Sequence, residues 1–364
     1  MMLLGAIVCG FLLDLAIGDP HGWPHPIILI GNLISRLEKR VRAACGTDPD
    51  KLLRGGFIIV LVVCFLSFFV PYLILFAAEK VNPWLRFAIE TVMCYQIFCT
   101  RSLRDESMKV YDALEAHDLP LGRKMLSWIV GRDTAELTEE EVIKGAVETI
   151  AENTADGILA PMLYMFIGGA PLAFLYKGIN TMDSMIGYRD EKFLYIGRYA
   201  AKLDDIANFI PARICAFCMM AASFFTGLDT KNAWKVFWRD RYHHLSPNSA
   251  QTESVAAGAL HLMLGGDHYY FGKLVHKETI GDDLQKAASL HIKQMNLLMY
   301  FTSITGLLVS CSSSSLYSLV DEELIYILSS IQTASNIKDL NTSELALWSS
   351  EWSNHQYLVV NGYN

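Results

Sequence analysis

GGFIIVLVVCFLSFFVPYLILFAA, residues 55–78, runs for 24 residues without a charged side chain. About 20 apolar residues are enough for a helix to cross the hydrocarbon core of a bilayer. The stretch therefore predicts a membrane span and sets the class of the whole chain. The composition agrees: 52% of the 364 residues are hydrophobic and only 19% are charged, against about 25% charged in an ordinary soluble domain.

Outward from this span, further apolar segments follow. Met295–Cys311 carries no charge, and Ile206–Gly227 carries only Arg213. Pro83–Thr100 is interrupted by Arg86 and Glu90, and Ile158–Tyr176 is broken by Gly168-Gly169-Ala170-Pro171. The broken segment reads either as a span or as a re-entrant hairpin buried against other helices. The N-terminal MMLLGAIVCGFLL lacks a positive leading region and a small-residue cleavage site, so it reads as a retained membrane helix rather than a signal peptide. The fold expected is all-α: a polytopic membrane protein with about 4–6 embedded helices, joined by cytoplasmic amphipathic helices.

Lysine and arginine in short loops mark the cytoplasmic side. Segments 36–54 and 101–144 are rich in both, and Lys231, Lys235, Arg239 and Arg241 mark a third such stretch. A multi-pass protein of the cell membrane, with its working face in the cytoplasm, follows. The side occupied by 177–205 depends on whether 158–176 spans. The net charge of −8 excludes a basic stripe for nucleic acid. The eight cysteines show no paired metal spacing. Cys215-Ala-Phe-Cys218 lies in an apolar run without a partner pair, where cysteine acts as a small hydrophobe.

Against this background three acid-bearing segments stand out. VETIAENTADGILAP (147–161) places Glu148, Glu152 and Asp156 at i, i+4 and i+8, one row on a helix face. Thr138 and Glu141 form a capping box that starts this helix, and Asp156-Gly157 is expected to end it. A solvated acidic stripe is the plain alternative, and Glu148 fits it best. Asp156, however, abuts ILAPMLYMFI, where a charge is costly and usually functional. INTMDSMIGYRDEKF (179–193) embeds Asn180 and Asp183 in a Met-rich helix ahead of Arg189. AKLDDIANFIPAR (201–213) sets Asp204, Asp205 and Asn208 before an apolar run. Asp204 and Asn208, one turn apart, can reach one cation or one Mg²⁺-phosphate group. Acid-bearing helix ends converging at a membrane face suit Mg²⁺, which takes oxygen ligands and keeps substrate phosphates. Ion pairs with Arg189, Arg198 or Arg213 are the alternative use of these acids.

Three weaker stretches accompany them. GDPHGWPHP (18–26) is a rigid turn with His21 and His25, read as an interfacial anchor ahead of a metal site. Ser246-Pro247-Asn248 feeds a helix of small residues, a place where an anion can meet free N–H groups. LGGDHYYFGK (264–273) suits a loop packing on a flat ligand. No P-loop, G-x-G-x-x-G or G-x-S-x-G pattern is present.

GDPHGWPHP, RSL (101–103), GRDT (131–134), AENTADGILAP, NTMDSMIGYR, LDDIANFIPAR, SPNS, LGG and YYFG occur in this order. Together they resemble the membrane-bound cobalamin biosynthesis family CobD/CbiB, the adenosylcobinamide-phosphate synthases, over roughly residues 3–300 (domain 1–311). The resemblance implies ATP-dependent amide formation between adenosylcobyric acid and (R)-1-amino-2-propanol phosphate or a close aminoalcohol analogue. ATP serves as co-substrate, Mg²⁺ as cofactor and the lipid bilayer as partner. Homo-oligomers and complexes with other corrinoid enzymes stay open. Such chemistry asks for a metal, cations on phosphates and a base. Residue chemistry then assigns Glu152, Asp156 and Asp183 to the metal. Arg101, Arg132, Arg189, Arg213, Ser246 and Asn248 are assigned to phosphates, and Asp204, Asp205 and Asn180 to catalysis, an aspartate as the base. Two departures are visible. SPN continues SAQTE where many relatives carry Gly-aromatic-Pro before the acid, and 312–364 matches nothing in the family, an extension of unassigned role. Mg²⁺-dependent transferases of the prenyl or CDP-alcohol type are only approximated by Asp204-Asp205 and Asp156-Gly157. A corrinoid or cation transporter would be expected to show internal repeats, and none is found.

Overall fold

The computed structural model describes residues 2–20, 22, 25–188, 191–270 and 272–335, with side chains through 312. It divides into two units, Met1–Ser310 and Cys311–Asn364. In the second, the described residues are helical through Ser335, and the side chains of the amphipathic stretch 316–331 lie outside the described residues.

The first unit is helical almost throughout. Its elements in order are α1 (Met2–Ile17), α2 (Pro26–Cys45), α3 (Pro49–Val81), α4 (Pro83–Tyr95), α5 (Thr100–Glu115), α6 (Leu119–Leu126) and α7 (Glu139–Asn153). A π-helical turn, Thr154–Leu159, joins α7 to α8 (Ala160–Ile186). There follow α9 (Arg198–Ala207), α10 (Phe209–Phe225), α11 (Thr230–Asp240), α12 (Ser249–Leu260) and α13 (Leu290–Ser335). The exception to the all-α expectation lies between α12 and α13. There β1 (Leu264–Gly265) pairs antiparallel with β4 (Thr279–Ile280), and β2 (His268–Tyr270) with β3 (Lys273–Val275).

Helix α3 carries the opening stretch and has the two faces a membrane helix needs. Ile59, Val63, Ser67, Pro71 and Leu75, at i+4 steps, are buried. Phe57, Leu61, Phe65, Phe69, Leu73 and Phe76 point outward. Bulky groups thus face lipid while small and aliphatic ones face the protein, as expected where lipid and side chain are equally apolar. Among the described residues three helices are long and apolar enough to cross a membrane: Pro49–Val81, Glu139–Ile186 and Leu290–Ser312. A fourth is obtained when α9 and α10, bent by 46°, are counted as one. α1 is apolar but only 16 residues long, about 24 Å against the ~30 Å hydrocarbon core.

The segment 83–100 is not one helix, because α4 stops at Tyr95. Its Glu90 has a structural task at the break in α8. Gly168 and Gly169 leave helical geometry, Gly169 with φ +68°, a conformation open to glycine at little cost. The freed N–H of Ala170 lies 3.5 Å from Glu90 Oε1, and Arg86 Nε lies 3.5 Å from Glu90 Oε2. A neighbouring helix thereby satisfies backbone that the break exposes.

The capping box of α7 forms as the sequence requires: Glu141 N–H donates to Thr138 Oγ1 at 3.3 Å, and Thr138 N–H to Glu141 Oε2 at 2.7 Å. The helix does not end at Asp156-Gly157, however. It widens into the π turn and continues as α8. Thr154 Oγ1 donates to the Ile150 carbonyl at 2.6 Å, and Cys99 Sγ packs where a Gly157 Cβ would lie.

α1 rests on α4 through Gly10, where an added Cβ would stand 2.7 Å from Cys94 Cβ and 2.9 Å from Tyr95 N. Overpacking of such a contact costs about 1–3 kcal/mol. Gly10→Val is expected to lower the unfolding midpoint in detergent, whereas Leu12→Val, at an exposed position of the same helix, leaves it unchanged. An unshifted Gly10→Val midpoint would contradict this packing.

Candidate functional site

The row read from the sequence lies on one continuous helical stretch, but it crosses into the π turn and its three carboxylates enter three surroundings. Glu148 is buried, not solvated as the stripe reading had it. Its Oε2 accepts from Arg132 Nη2, and its Oε1 accepts from Gly265 N–H at 2.7 Å. Arg132 also meets His268 Nε2. Burial opposes the Arg132 charge, yet the Glu148 carboxylate more than offsets this and raises its pKa. Burial, with the Arg132 charge next to it, lowers that of His268.

One turn on, Glu152 accepts from Ser249 Oγ at 2.7 Å, which ties α7 to the start of α12. Glu152 also lines a polar cavity of about 120 Å³ with Arg132, His244, Glu253, Tyr270 and Lys277. Glu253 is 5% exposed. Burial first, then Glu152 and Glu148, push its pKa well above the carboxylate range. Burial lowers that of His244, whose Nδ1 accepts from Ser246 N–H at 3.0 Å. Lys277 Nζ stands 2.8 Å from Tyr270 Oη and 3.5 Å from His244 Nε2.

Asp156, in the π turn, faces the second cluster. Its electrostatic neighbours are the carboxylates of Asp204, Glu152 and Asp183, with Lys177 the cation among them. π turns within α-helices recur at functional sites because they re-aim side chains. Asp204 accepts from Asn180 Nδ2 at 3.4 Å and from Asn208 Nδ2 at 3.1 Å. Tyr176 Oη lies 2.7 Å from Asn208 Oδ1 and 2.9 Å from the Asp156 carbonyl. The i, i+4 spacing of Asp204 and Asn208 is therefore used between the two side chains themselves.

Asp205 reaches the loop before α12. Ser246 Oγ donates to its Oδ1 at 3.1 Å and Asn248 Nδ2 to its carbonyl at 2.9 Å. Arg213 Nη1 donates to Asn248 Oδ1 at 3.2 Å. This network joins α9, α10 and the loop that carries His244. Arg101, by contrast, donates to the carbonyls of Leu15 and Ala16 at 3.1 Å each and ends α1. Arg189 and His21 lie outside the described residues. His25 caps α2, its Nδ1 accepting from Ile27 N–H at 3.3 Å.

Glu152, Asp156, Asp183 and Asp204 offer the hard oxygen donors that Mg²⁺ prefers. Among the described residues no three His, Cys, Asp or Glu side chains form a ready chelate. An ion here would rest on one or two carboxylates and complete its shell with phosphate and water. On those terms the donor set fits.

Sequence reasoning missed His244, Glu253, His268, Tyr270, Lys277, Lys177 and Tyr176. Glu253 carried a signal, being the only charge in SAQTESVAAGAL. Lys277 and His268 carried none, because the strand pairing that folds 264–280 back onto α7 is long-range. Asp133, of GRDT, anchors that arm: its N–H donates to the Tyr269 carbonyl at 2.9 Å, and its Oδ2 accepts from Gly272 N–H at 2.7 Å.

Comparison with known proteins gives a consistent picture. The family described as CobD/Cbib protein matches residues 7–299. The cobalamin biosynthesis protein CobD of Clostridium perfringens is 45% identical over 304 residues, 84% of this chain and 96% of the relative. That of Clostridium acetobutylicum is 44% identical over 303 residues, 83% and 96% of the two chains. That of Citrobacter koseri is 44% identical over 297 residues, 82% and 93%. No solved structure matches the chain.

Breaking a buried ion pair by removing one partner costs about 3–5 kcal/mol, more than replacing both. Glu148→Gln is therefore expected to destabilise the protein strongly, and adding Arg132→Met to recover part of the loss. Thermal unfolding in detergent measures both; a double variant less stable than Glu148→Gln would rule out this use of the pair.

Proposed function

The chain belongs to the CobD/CbiB family, and from that premise we propose that it is a membrane enzyme of cobalamin biosynthesis that makes an amide at the expense of ATP. The acid is adenosylcobyric acid and the amine (R)-1-amino-2-propanol phosphate or a close analogue, giving adenosylcobinamide phosphate. The γ-phosphoryl group passes to the corrinoid carboxylate, giving an acyl phosphate and ADP. The amine nitrogen then attacks the acyl carbon, and inorganic phosphate leaves as the C–N bond forms and a proton is lost from nitrogen.

The observation that supports this reading is that Asp156, in the π turn, lies within electrostatic reach of Asp204, Glu152 and Asp183, on α9, α7 and α8, with Lys177 as a cation near it. So many carboxylates out of water call for a cation, and a Mg²⁺-nucleotide brings one. Mg²⁺, resting on one or two of Glu152, Asp156 and Asp183 with phosphate and water completing its shell, would neutralise charge on the transferring phosphoryl group. Asn180 and Asn208 hold the Asp204 carboxylate by two hydrogen bonds, which orients it as the proton acceptor. Asp205 fixes Ser246 and Asn248, and so positions the loop that brings His244 to the cavity. Arg132, with Arg189 and Arg213, supplies cations toward the phosphates. The lysine- and arginine-rich segments support a cytoplasmic position for this face in a multi-pass cell-membrane protein.

The purified protein in detergent is expected to hydrolyse ATP only when both corrinoid acid and aminoalcohol phosphate are present, and to stop when EDTA removes Mg²⁺. Glu152→Gln is expected to abolish product formation while membrane insertion is retained. Retained activity in that variant would remove Glu152 from the metal site. A transporter would show no corrinoid-dependent ATP turnover, and a prenyl or CDP-alcohol transferase no ATP turnover at all.

A further inference from the structure

The cavity between α7, α12 and the β arm is lined by groups of both charges. Ser246 N–H donates to His244 Nδ1 at 3.0 Å. In a neutral imidazole this leaves the proton on Nε2. Nε2 faces Lys277 Nζ at 3.5 Å, so two donors stand side by side. Lys277 has no carboxylate within 4 Å among the described residues. An oxyanion is the natural common acceptor for such a pair.

Glu253 also lines the cavity and is 5% exposed, and its carboxyl group takes part in no hydrogen bond among the described residues. Glu152 beside it accepts only from Ser249 Oγ. Glu148 is already matched by Arg132 and Gly265. The acceptors left over are therefore those of Glu253 and Glu152, and a positive donor is what they lack.

The volume narrows the choice. The cavity measures about 120 Å³, room for a small molecule or one end of a larger one. It suits a short molecule with a phosphate at one end and an ammonium at the other.

We propose that this cavity is the subsite for the phosphorylated amino alcohol, its phosphate on Lys277 and His244 and its ammonium on Glu253. The assignment rests on the functional reading above and adds the location of the amine substrate. Lys277 and His244 thereby select for a phosphate ester over the free amino alcohol. Arg132, held by Glu148, also lines the cavity. Tyr270 steers Lys277 by the 2.8 Å hydrogen bond to its Nζ.

The test is direct binding to the full chain in detergent, by calorimetry, of (R)-1-amino-2-propanol phosphate, O-phosphoethanolamine, inorganic phosphate and unphosphorylated aminopropanol. Wild type is expected to bind the two phosphorylated amines at least tenfold more tightly than either fragment. Lys277→Met should weaken them at least tenfold, Lys277→Arg should restore part of the loss, and inorganic phosphate binding should fall with Lys277→Met but not with Glu253→Gln. In steady state Lys277→Met should raise KM for the amine at least tenfold while leaving KM for ATP in place. Unchanged amine binding in Lys277→Met and Glu253→Gln, with both variants monodisperse, would overturn the subsite. So would a loss confined to ATP. A wild type that forms no amide would instead sink the functional reading, and the binding comparison would still decide the cavity.

Discussion

Carboxylates withdrawn from water constrain the rest of this molecule. An isolated buried charge costs several kcal/mol after relaxation, and its attraction to a partner repays that only when the remaining lone pairs are also satisfied. Each acid in the central helix is met differently. Glu148 has a guanidinium and a backbone N–H, and Glu152 has a hydroxyl. Asp156 has Lys177 near it and three other carboxylates around it. The progression runs from full internal compensation to a surplus of negative charge. The surplus is where an added cation would gain most.

That arrangement depends on backbone held to unusual geometry. The π turn changes the pitch of the central helix within six residues, so that side chains four apart in sequence do not stay on one stripe. Close helix contacts hold the surrounding pieces in place. At Gly258 an added Cβ would stand 2.7 Å from Ala233 Cα, which brings α12, with Ser249 and Glu253, firmly against α11.

Much of this was legible in the sequence for local reasons. The charge-free run at 55–78 specifies a lipid-facing helix, and its i+4 burial pattern follows from helical pitch alone. The capping box at Thr138 and Glu141 is a four-residue signal and formed as read. The acids beside apolar segments, Asp156, Asp183 and Asp204, were legible because a charge in that setting needs a reason. What was not legible depends on tertiary contact. Nothing local distinguishes Glu148 from a surface glutamate, because its partner Arg132 reaches it from a loop outside the helix. Asp156-Gly157 looks like a helix stop, and is one in water, but in an apolar setting the cost of unsatisfied carbonyls keeps the helix going. The β arm came from strands of two or three residues, too short to leave an alternation pattern.

The break at Gly168-Gly169 has a mechanical side. The carboxylate that serves the freed Ala170 N–H belongs to α4, not to the broken helix, and α4 is packed in turn on α1 at Gly10. A sliding of α8 along its axis, which would carry Lys177, Asn180 and Asp183 past Asp204, drags that contact with it. A single glutamate and a single glycine thus tie three helices to one another.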